Sequence, residues 1–360
     1  MAAGLGTRLN PLTLAVPKPM VPIVNKPCML YSLELLSRYG FRDVALNLHY
    51  FPEQIKNYFG DGSPLGLSLD YSYEEELLGT AGGVKKMAEE LLEVREPFLI
   101  LSADTLTDIP LNELMAFHKR SGPLITIALK KMDVVQEYGV VILDEARRIT
   151  AFQEKPAPGE ELSFLANTGI YIVEPELLRL IPPKEFHDFG RMLFPRLLKE
   201  KVPMSGFVTD AYWNDIGSIP QYLQANSDLL ERRVGVPLDG EWKNGVLVGQ
   251  GAHLDDRAKI SAPAAVGAHA RVHAGATIGP GSIIGPSSVV RHGAVIRQSI
   301  LWPEVVVGES ASVDRSIVGS FSYLEDGSRL EPDAVLGNRC HVRRGVTIPS
   351  GSRVAPDEIV

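Results

Sequence analysis

The sequence predicts an α/β domain with a mixed, mostly parallel sheet, followed by a parallel β-solenoid. Three observations predict this. From residue 1 to about 230, short apolar runs alternate with amphipathic stretches. From Val248 onward the helix signals vanish and an aliphatic residue recurs at every sixth position. Between the two lies "ERRVGVPLDGEWKNG", a polar stretch with Gly and Pro and neither period. These features set a first domain at 1–232, a linker at 233–245 and a solenoid at 246–360.

In the first domain "DVALNLH", "PFLILSAD" and "LITIALKK" read as buried strands. "MLYSLELLSRYG" reads as a helix stopped by Gly40, and "PEQIKNYFG" and "LNELMAFHKRSG" as two more, the first opening on Pro52. "GVVILDEARRITAF" reads as an appended hairpin. In the solenoid, Val248, Leu254, Ile260, Val266, Val272, Ile278, Ile284, Val290 and Ile296 are six apart. A small residue, from Ala252 to Ala294, lies four beyond each of the first eight. The register slips between about 302 and 318, then resumes from Val318 to Val354. With three hexapeptides to a triangular coil, the span holds about six coils, aliphatic residues inward and small ones near the corners.

Composition narrows the function. The chain has 36 Lys and Arg against 44 Asp and Glu, a net charge of −8, and no basic run, which argues against a nucleic-acid or membrane-surface protein. Anionic small molecules stay open, since they need only a few local cations. No apolar run approaches the roughly 18 residues of a membrane span, and no signal-peptide pattern opens the chain. Cys28 and Cys340 have neither disulfide-framework nor zinc-site spacing, and read as buried thiols in a reducing cytoplasm.

The chemistry-bearing residues cluster in the first domain. Gly4 and Gly6 let the main chain approach an anion closely, and Arg8 and Lys18 add charges suited to phosphate oxygens. The stretch is not a P-loop, lacking Gly-Lys-Ser/Thr, nor a dinucleotide fingerprint, lacking the third glycine. Asp104 closes an apolar strand, where α/β sheets bind ligands, and Asp215 lies in "YWNDIG". Two carboxylates with phosphate oxygens and water make a Mg²⁺ shell, while a turn or helix cap explains each carboxylate alone. Glu154 and Lys155 in "FQEKP" end a strand, where a plain surface pair is the alternative.

In order along the chain, "GLGTRLNPLTLAVPKPMVPIVNKP", "LGTAGGV", "SADTLTD", "EYGVV", "FQEKP", "NTGIYI" and "YWNDIG" resemble the sugar-phosphate nucleotidylyltransferase (nucleotide-sugar pyrophosphorylase) family. The resemblance covers most of residues 1–230 and implies a Rossmann-like catalytic domain. The hexapeptide half resembles the left-handed β-helix of several branches, most of all the mannose-1-phosphate guanylyltransferase type. The resemblance implies that Ala3, Gly4, Gly6, Thr7 and Arg8 hold the triphosphate, with Gly79 and Thr80 at the base. It gives Lys18 to phosphates near the reacting centre and Asp104 and Asp215 to Mg²⁺. Gly139, Glu154, Lys155 and Asn167 then surround the sugar phosphate, Lys155 meeting the phosphate itself. Arg8, Lys18 and Lys155 cancel transition-state charge. The implied reaction joins GTP and mannose 1-phosphate into GDP-mannose and pyrophosphate, in a homo-oligomer assembled through the β-helix.

Other readings remain at this stage: a glucose-1-phosphate thymidylyl-, uridylyl- or adenylyltransferase, a non-catalytic regulatory subunit, or an acyltransferase using a solenoid histidine. Two departures from the family stand out. Ala103 precedes Asp104 where the family commonly has glycine. Relatives also carry an apolar strand ahead of the opening loop, so the expectation is that Met1 is an internal methionine at that strand's end. Loss of the strand removes three or four buried aliphatic side chains, worth roughly 1.5–3 kcal/mol each. From the metal assignment, Asp104→Asn is expected to cut turnover by about 100-fold or more with the fold intact. Titrating activity against Mg²⁺ checks this, and near-wild-type turnover at limiting Mg²⁺ rules out the metal role.

Overall fold

The runs read as buried strands form them: Asp43–Leu48, Phe98–Ile100 and Ile125–Lys131. The computed structural model describes residues 1–91 and 94–360, in two units, Met1–Gly4 with Met29–Asp215 and Leu5–Cys28 with Ile216–Val360.

In the first unit Ile125, Ile127 and Leu129 are completely buried together with Ala128 between the last two. Thr126, between the first two, is completely buried as well, and burial of successive residues is the mark of a strand covered on both faces. It pairs in parallel with Met204–Thr209 and antiparallel with Leu165–Val173, which also takes Phe98–Ile100 as an antiparallel partner. The predicted hairpin is Gly139–Leu143 with Ile149–Glu154, joined to the sheet through Ala166 and Val140. A separate parallel pair joins Asp43–Leu48 to Ser68–Tyr73. The sheets are therefore mixed, with the antiparallel strands gathered around Leu165–Val173. The α-helices of the unit are Cys28–Arg38 from its second residue on, Pro52–Phe59, Gly79–Glu90, Leu111–Ser121 and Phe194–Lys199. The first of these stops as the sequence indicates: Gly40 has φ +83° and the Phe41 N–H returns to the Leu36 carbonyl. An apolar cavity of about 230 Å³ is walled by Met1, Leu33, Val44, Leu46, Met87 and Phe98 among others.

The last connection decides the site. Leu106–Thr107 pairs antiparallel with Trp213–Asn214. The Thr107 hydroxyl donates to the Tyr212 carbonyl at 2.6 Å, and the Tyr212 N–H donates to Asp108 Oδ1 at 2.8 Å.

The second unit holds residues 5–28, the helix Ile219–Leu230 capped by the Ser218 hydroxyl, and the solenoid. One face stacks Val248, Val266, Ile284, Leu301, Val318, Leu336 and Val354. The other two stack the Leu254 and Ile260 columns in the same way. Aliphatic side chains and the small corner residues Ala264, Ala270, Ala276 and Ala294 fill one core. This is a left-handed β-helix of about six turns.

The slip in the repeat has a local cause. Leu301 follows Ile296, and Val318 follows Val313, by five residues instead of six. Each shortened corner carries a residue at positive φ, Gln298 at +45° and Arg315 at +43°, followed by a buried serine. The Ser299 hydroxyl donates to the Arg297 carbonyl, the Ser316 hydroxyl to that of Asp314, and the Ser316 N–H donates to Ser299 Oγ. The serines thus satisfy the backbone of two stacked corners. Among the described residues no helix is long and apolar enough to cross a membrane.

Coils stack closely enough that some positions exclude a side chain. A Cβ on Gly308 would lie 2.6 Å from both the Glu325 carbonyl carbon and the Asp326 nitrogen. Backbone cannot swing aside, so Gly308→Ala is expected to destabilise the solenoid by about 1–3 kcal/mol. Urea denaturation measures this; an unchanged midpoint would show that the coils separate freely.

Candidate functional site

Three of the proposed sugar-phosphate residues lie in one row of the sheet. Gly139 pairs with Glu154 across the hairpin. On its other side Ala166 pairs with Val140, and antiparallel register carries Asn167 opposite Gly139. Asn167 is oriented by its own surroundings: its Nδ2 donates to the Tyr171 hydroxyl at 3.0 Å, and its Oδ1 accepts the Gly169 N–H. Lys155, next after Glu154, has φ +46°, a conformation costing about 1–3 kcal/mol in a non-glycine residue. Its N–H donates to the Tyr138 carbonyl, which holds the bend.

Glycines shape the wall around Glu154. A Cβ on Gly139 would come within 2.8 Å of Glu154 Oε2, and one on Gly190 within 2.7 Å. The Glu154 carboxyl sits in the space that two missing side chains leave. Burial pushes its pKa up, Asp188 adds to the rise, and Lys155 and Arg191 oppose it.

The candidate metal ligands lie just beyond one end of the short ladder. Trp213 pairs with Thr107 and Asn214 with Leu106, so the ladder ends one residue before Asp215 and two residues after Asp104. Asp215 Oδ1 accepts from the Tyr138 hydroxyl at 3.3 Å, and the Tyr138 ring packs edge-on against Trp213 with centroids 5.0 Å apart. Among the described residues no three His, Cys, Asp or Glu side chains form a metal cage. Asp104 and Asp215 are of the donor type that Mg²⁺ takes, an ion that keeps several water ligands and binds through one or two carboxylates plus phosphate oxygens.

Gly79 has φ +73° and would drive a Cβ to 2.6 Å from the His187 carbonyl. That carbonyl accepts the Ala81 and Gly82 N–H groups, so glycine at 79 is required by packing alone. The Thr80 hydroxyl donates to Asp188 Oδ2 and accepts the Phe189 N–H. At the start of the chain Ala3 is buried and Gly4 exposed. The buried Met1 amino group donates to the Leu101 carbonyl at 2.7 Å. Its pKa is lowered to about 6 by burial, against the pull of Asp104 and Glu74.

Gly6, Thr7, Arg8 and Lys18 belong to the second unit. Gly6 takes φ +66°, and a Cβ there would meet Lys18 Cβ at 2.8 Å, so the missing side chain lets Lys18 pack over the turn. Thr13 closes the turn by donating to the Gly6 carbonyl. Arg8 is exposed and Lys18 buried.

Sequence reasoning missed Tyr138, Asp188 and Gly190. Tyr138 stands inside the quoted "EYGVV", and its place beside Gly139 was the available signal. Asp188 and Gly190 fall in "HDFG", whose contact with Thr80 and Glu154 has no local signature.

A family model described as nucleotidyl transferase matches residues 1–232, and one described as GMPPB C-terminal domain matches residues 260–360. The chain is 36% identical to a UTP–glucose-1-phosphate uridylyltransferase from Synechocystis, over 97% of this chain and 89% of that protein. It is 33% identical to a mannose-1-phosphate guanyltransferase from Candida albicans, over 100% and 96%. Among solved structures, HddC from Yersinia pseudotuberculosis matches with a TM-score of 0.55 at 28% identity, covering 63% of this chain and 96% of that one.

The Glu154 environment makes a pH prediction. A carboxyl whose pKa is raised on folding binds its proton more tightly in the native state, so stability is lost as pH rises through that folded pKa. Glu154→Gln removes the loss. The variant is expected to gain stability relative to wild type between pH 4 and pH 8, read as the difference in urea midpoints; a difference independent of pH would contradict the burial assignment.

Proposed function

Because the chain belongs to the nucleotidyl transferase family, we propose that it couples GTP to mannose 1-phosphate, releasing pyrophosphate and forming GDP-mannose. The reaction class, nucleotidyl transfer to a sugar phosphate, follows from the family. The observation that most supports the site assignment is the Thr107–Trp213 ladder, whose end lies one residue before Asp215 and two residues after Asp104. GTP and mannose 1-phosphate are favoured by the match of residues 260–360 to the GMPPB C-terminal domain and by the Candida albicans relative's name. The Synechocystis relative's name favours UTP and glucose 1-phosphate.

In this reading a phosphate oxygen of the sugar 1-phosphate attacks the α-phosphorus of the triphosphate, and the bond to the leaving pyrophosphate breaks in line. The attacking oxygen is already anionic, so no side chain has to remove a proton. The protein's work is to align two polyanions and offset their charge. Asn167 and Glu154 would take sugar hydroxyls, with Gly139 giving the sugar room. Lys155 would meet the sugar's phosphate, and Arg8 and Lys18 the triphosphate. Gly4, Gly6 and Thr7 would offer backbone N–H groups, Ala3 would lead into that turn, and Gly79 and Thr80 would stand near the base. Asp104 and Asp215 would hold Mg²⁺, which when bound neutralises phosphate oxygens. The chain would work in the cytoplasm as a homo-oligomer assembled through the β-helix.

Assaying GTP, UTP, dTTP and ATP against mannose 1-phosphate and glucose 1-phosphate tests the pairing. GTP with mannose 1-phosphate is expected to give the highest kcat/KM. A preference for UTP or dTTP with glucose 1-phosphate overturns the substrate pair and leaves the reaction class standing. Lys155→Ala is expected to lower kcat/KM for the sugar phosphate by about 100-fold, read from initial rates.

A further inference from the structure

One column of the solenoid breaks its own rule. The residues that follow the inward aliphatic positions on the first face are Gly249, Gly267, Gly285, Trp302, Gly319, Gly337 and, after Val354, Ala355, which has no following strand of this face to meet among the described residues. At each of the five glycines a Cβ would strike the next coil at 2.7 Å or less, so the stacking itself asks for glycine. Trp302 is the exception and is 2% exposed. Its side chain serves something outside the repeat: the indole Nε1–H donates to the Tyr222 hydroxyl at 2.9 Å.

Tyr222 is fully buried on the helix Ile219–Leu230. Burial holds its phenol above the ordinary range, which keeps it a neutral donor and acceptor. The hydroxyl donates in turn to the Pro22 carbonyl at 2.9 Å. Pro22–Ile23 and Lys26–Pro27 form a small hairpin whose two turn residues, Val24 and Asn25, have φ +41° and +70°. A β-branched residue at positive φ is a strained choice that its surroundings must enforce. They do so here: the Val24 N–H donates to buried Asn226 Oδ1 at 2.9 Å, and Asn226 Nδ2 donates to the Tyr222 carbonyl. Asn25 Nδ2 donates to the Ile284 carbonyl of the solenoid at 3.3 Å. The hairpin follows Lys18 directly, with the Val21 N–H on the Lys18 carbonyl and the Cys28 N–H on the Val21 carbonyl. Lys18 in turn packs over Gly6.

We infer that Trp302 and Tyr222 are positioning residues for the phosphate-binding segment, so that the solenoid sets the placement of Lys18 toward the nucleoside triphosphate. This rests on the phosphate role proposed above for Arg8 and Lys18. The chain of contacts is continuous within one unit: solenoid indole, helix phenol, hairpin carbonyl, lysine-bearing turn. Trp302 has no other evident reason to displace a glycine.

The test uses the full chain with Tyr222→Phe, Trp302→Phe, the double variant and Lys18→Ala. Tyr222→Phe keeps the ring and removes only the hydroxyl, whereas Trp302→Phe removes the indole N–H together with part of the ring system, so unfolding midpoints are read alongside KM for both. Tyr222→Phe and Trp302→Phe are expected to raise KM for the triphosphate by about 3- to 10-fold, the factor carried by one buried hydrogen bond. KM for the sugar phosphate should move less than about 2-fold. The double variant should match Tyr222→Phe alone, because the indole acts only through the phenol. Cys340→Ala, in a distant coil, should leave both constants unchanged. A purely structural role predicts lower unfolding midpoints with unchanged KM values, and that result overturns the inference. If Lys18→Ala loses turnover while both Phe variants keep wild-type KM, the inference fails and the phosphate assignment stands. If Lys18→Ala turns over normally, the phosphate assignment fails and the inference with it.

Discussion

The candidate chemistry of the first unit depends on a ladder two residues long. Leu106–Thr107 and Trp213–Asn214 come from distant parts of the chain, and their pairing leaves Asp104 and Asp215 just beyond the same end of the ladder. Two paired dipeptides are too few to hold themselves together in water. Side chains complete the structure. Thr107 and Asp108 close on the backbone of Tyr212, and the Trp213 indole donates to the Thr168 carbonyl. The Thr168 hydroxyl reaches the Ala128 carbonyl in the central sheet. The carboxylates are thus held by the rigid part of the sheet, two hydrogen bonds removed, although both sit in loops. Tyr138 adds a tie from the hairpin side.

The second unit solves a different problem by repetition. Each coil satisfies its neighbours' backbone groups and buries three aliphatic residues, so the solenoid extends without a large central core. Repetition leaves little room for individuality: corners take small residues and one column takes glycine. Irregularities therefore carry information. The two shortened corners are stacked and share the Ser299–Ser316 hydrogen bond, which makes them one paired adjustment. Trp302 comes shortly after the first of them.

Much of this was legible in the sequence, because periodicity is a local property. The six-residue period, the buried strands, the Gly40 stop and the hairpin all follow from side-chain pattern over short windows. The shortened corners were visible only as a lost register, since a single deletion cannot be placed without the stacking partner. Site residues were legible where motif and strand end coincide, as at Asp104, Glu154 and Lys155. Tyr138, Asp188 and Gly190 were not, because their roles come from pairings between segments far apart in sequence. The fit of Gly190 against Glu154 joins two loops that share no pattern. The grouping of residues 5–28 with the solenoid was likewise invisible, resting on Tyr222, Asn226 and Asn25 contacts. Trp302 among glycines was the one long-range clue printed openly in the repeat.

A stack of coils is a one-dimensional solid, and it melts from its open end. A coil with a neighbour on one side only opens more readily than one paired on both. In its column Leu301 has Ile284 on one side and Val318 on the other, with Leu336 and Val354 beyond. Trp302 therefore stands in a doubly paired coil, and the hydrogen bonds that run through Tyr222 to the hairpin after Lys18 start from there.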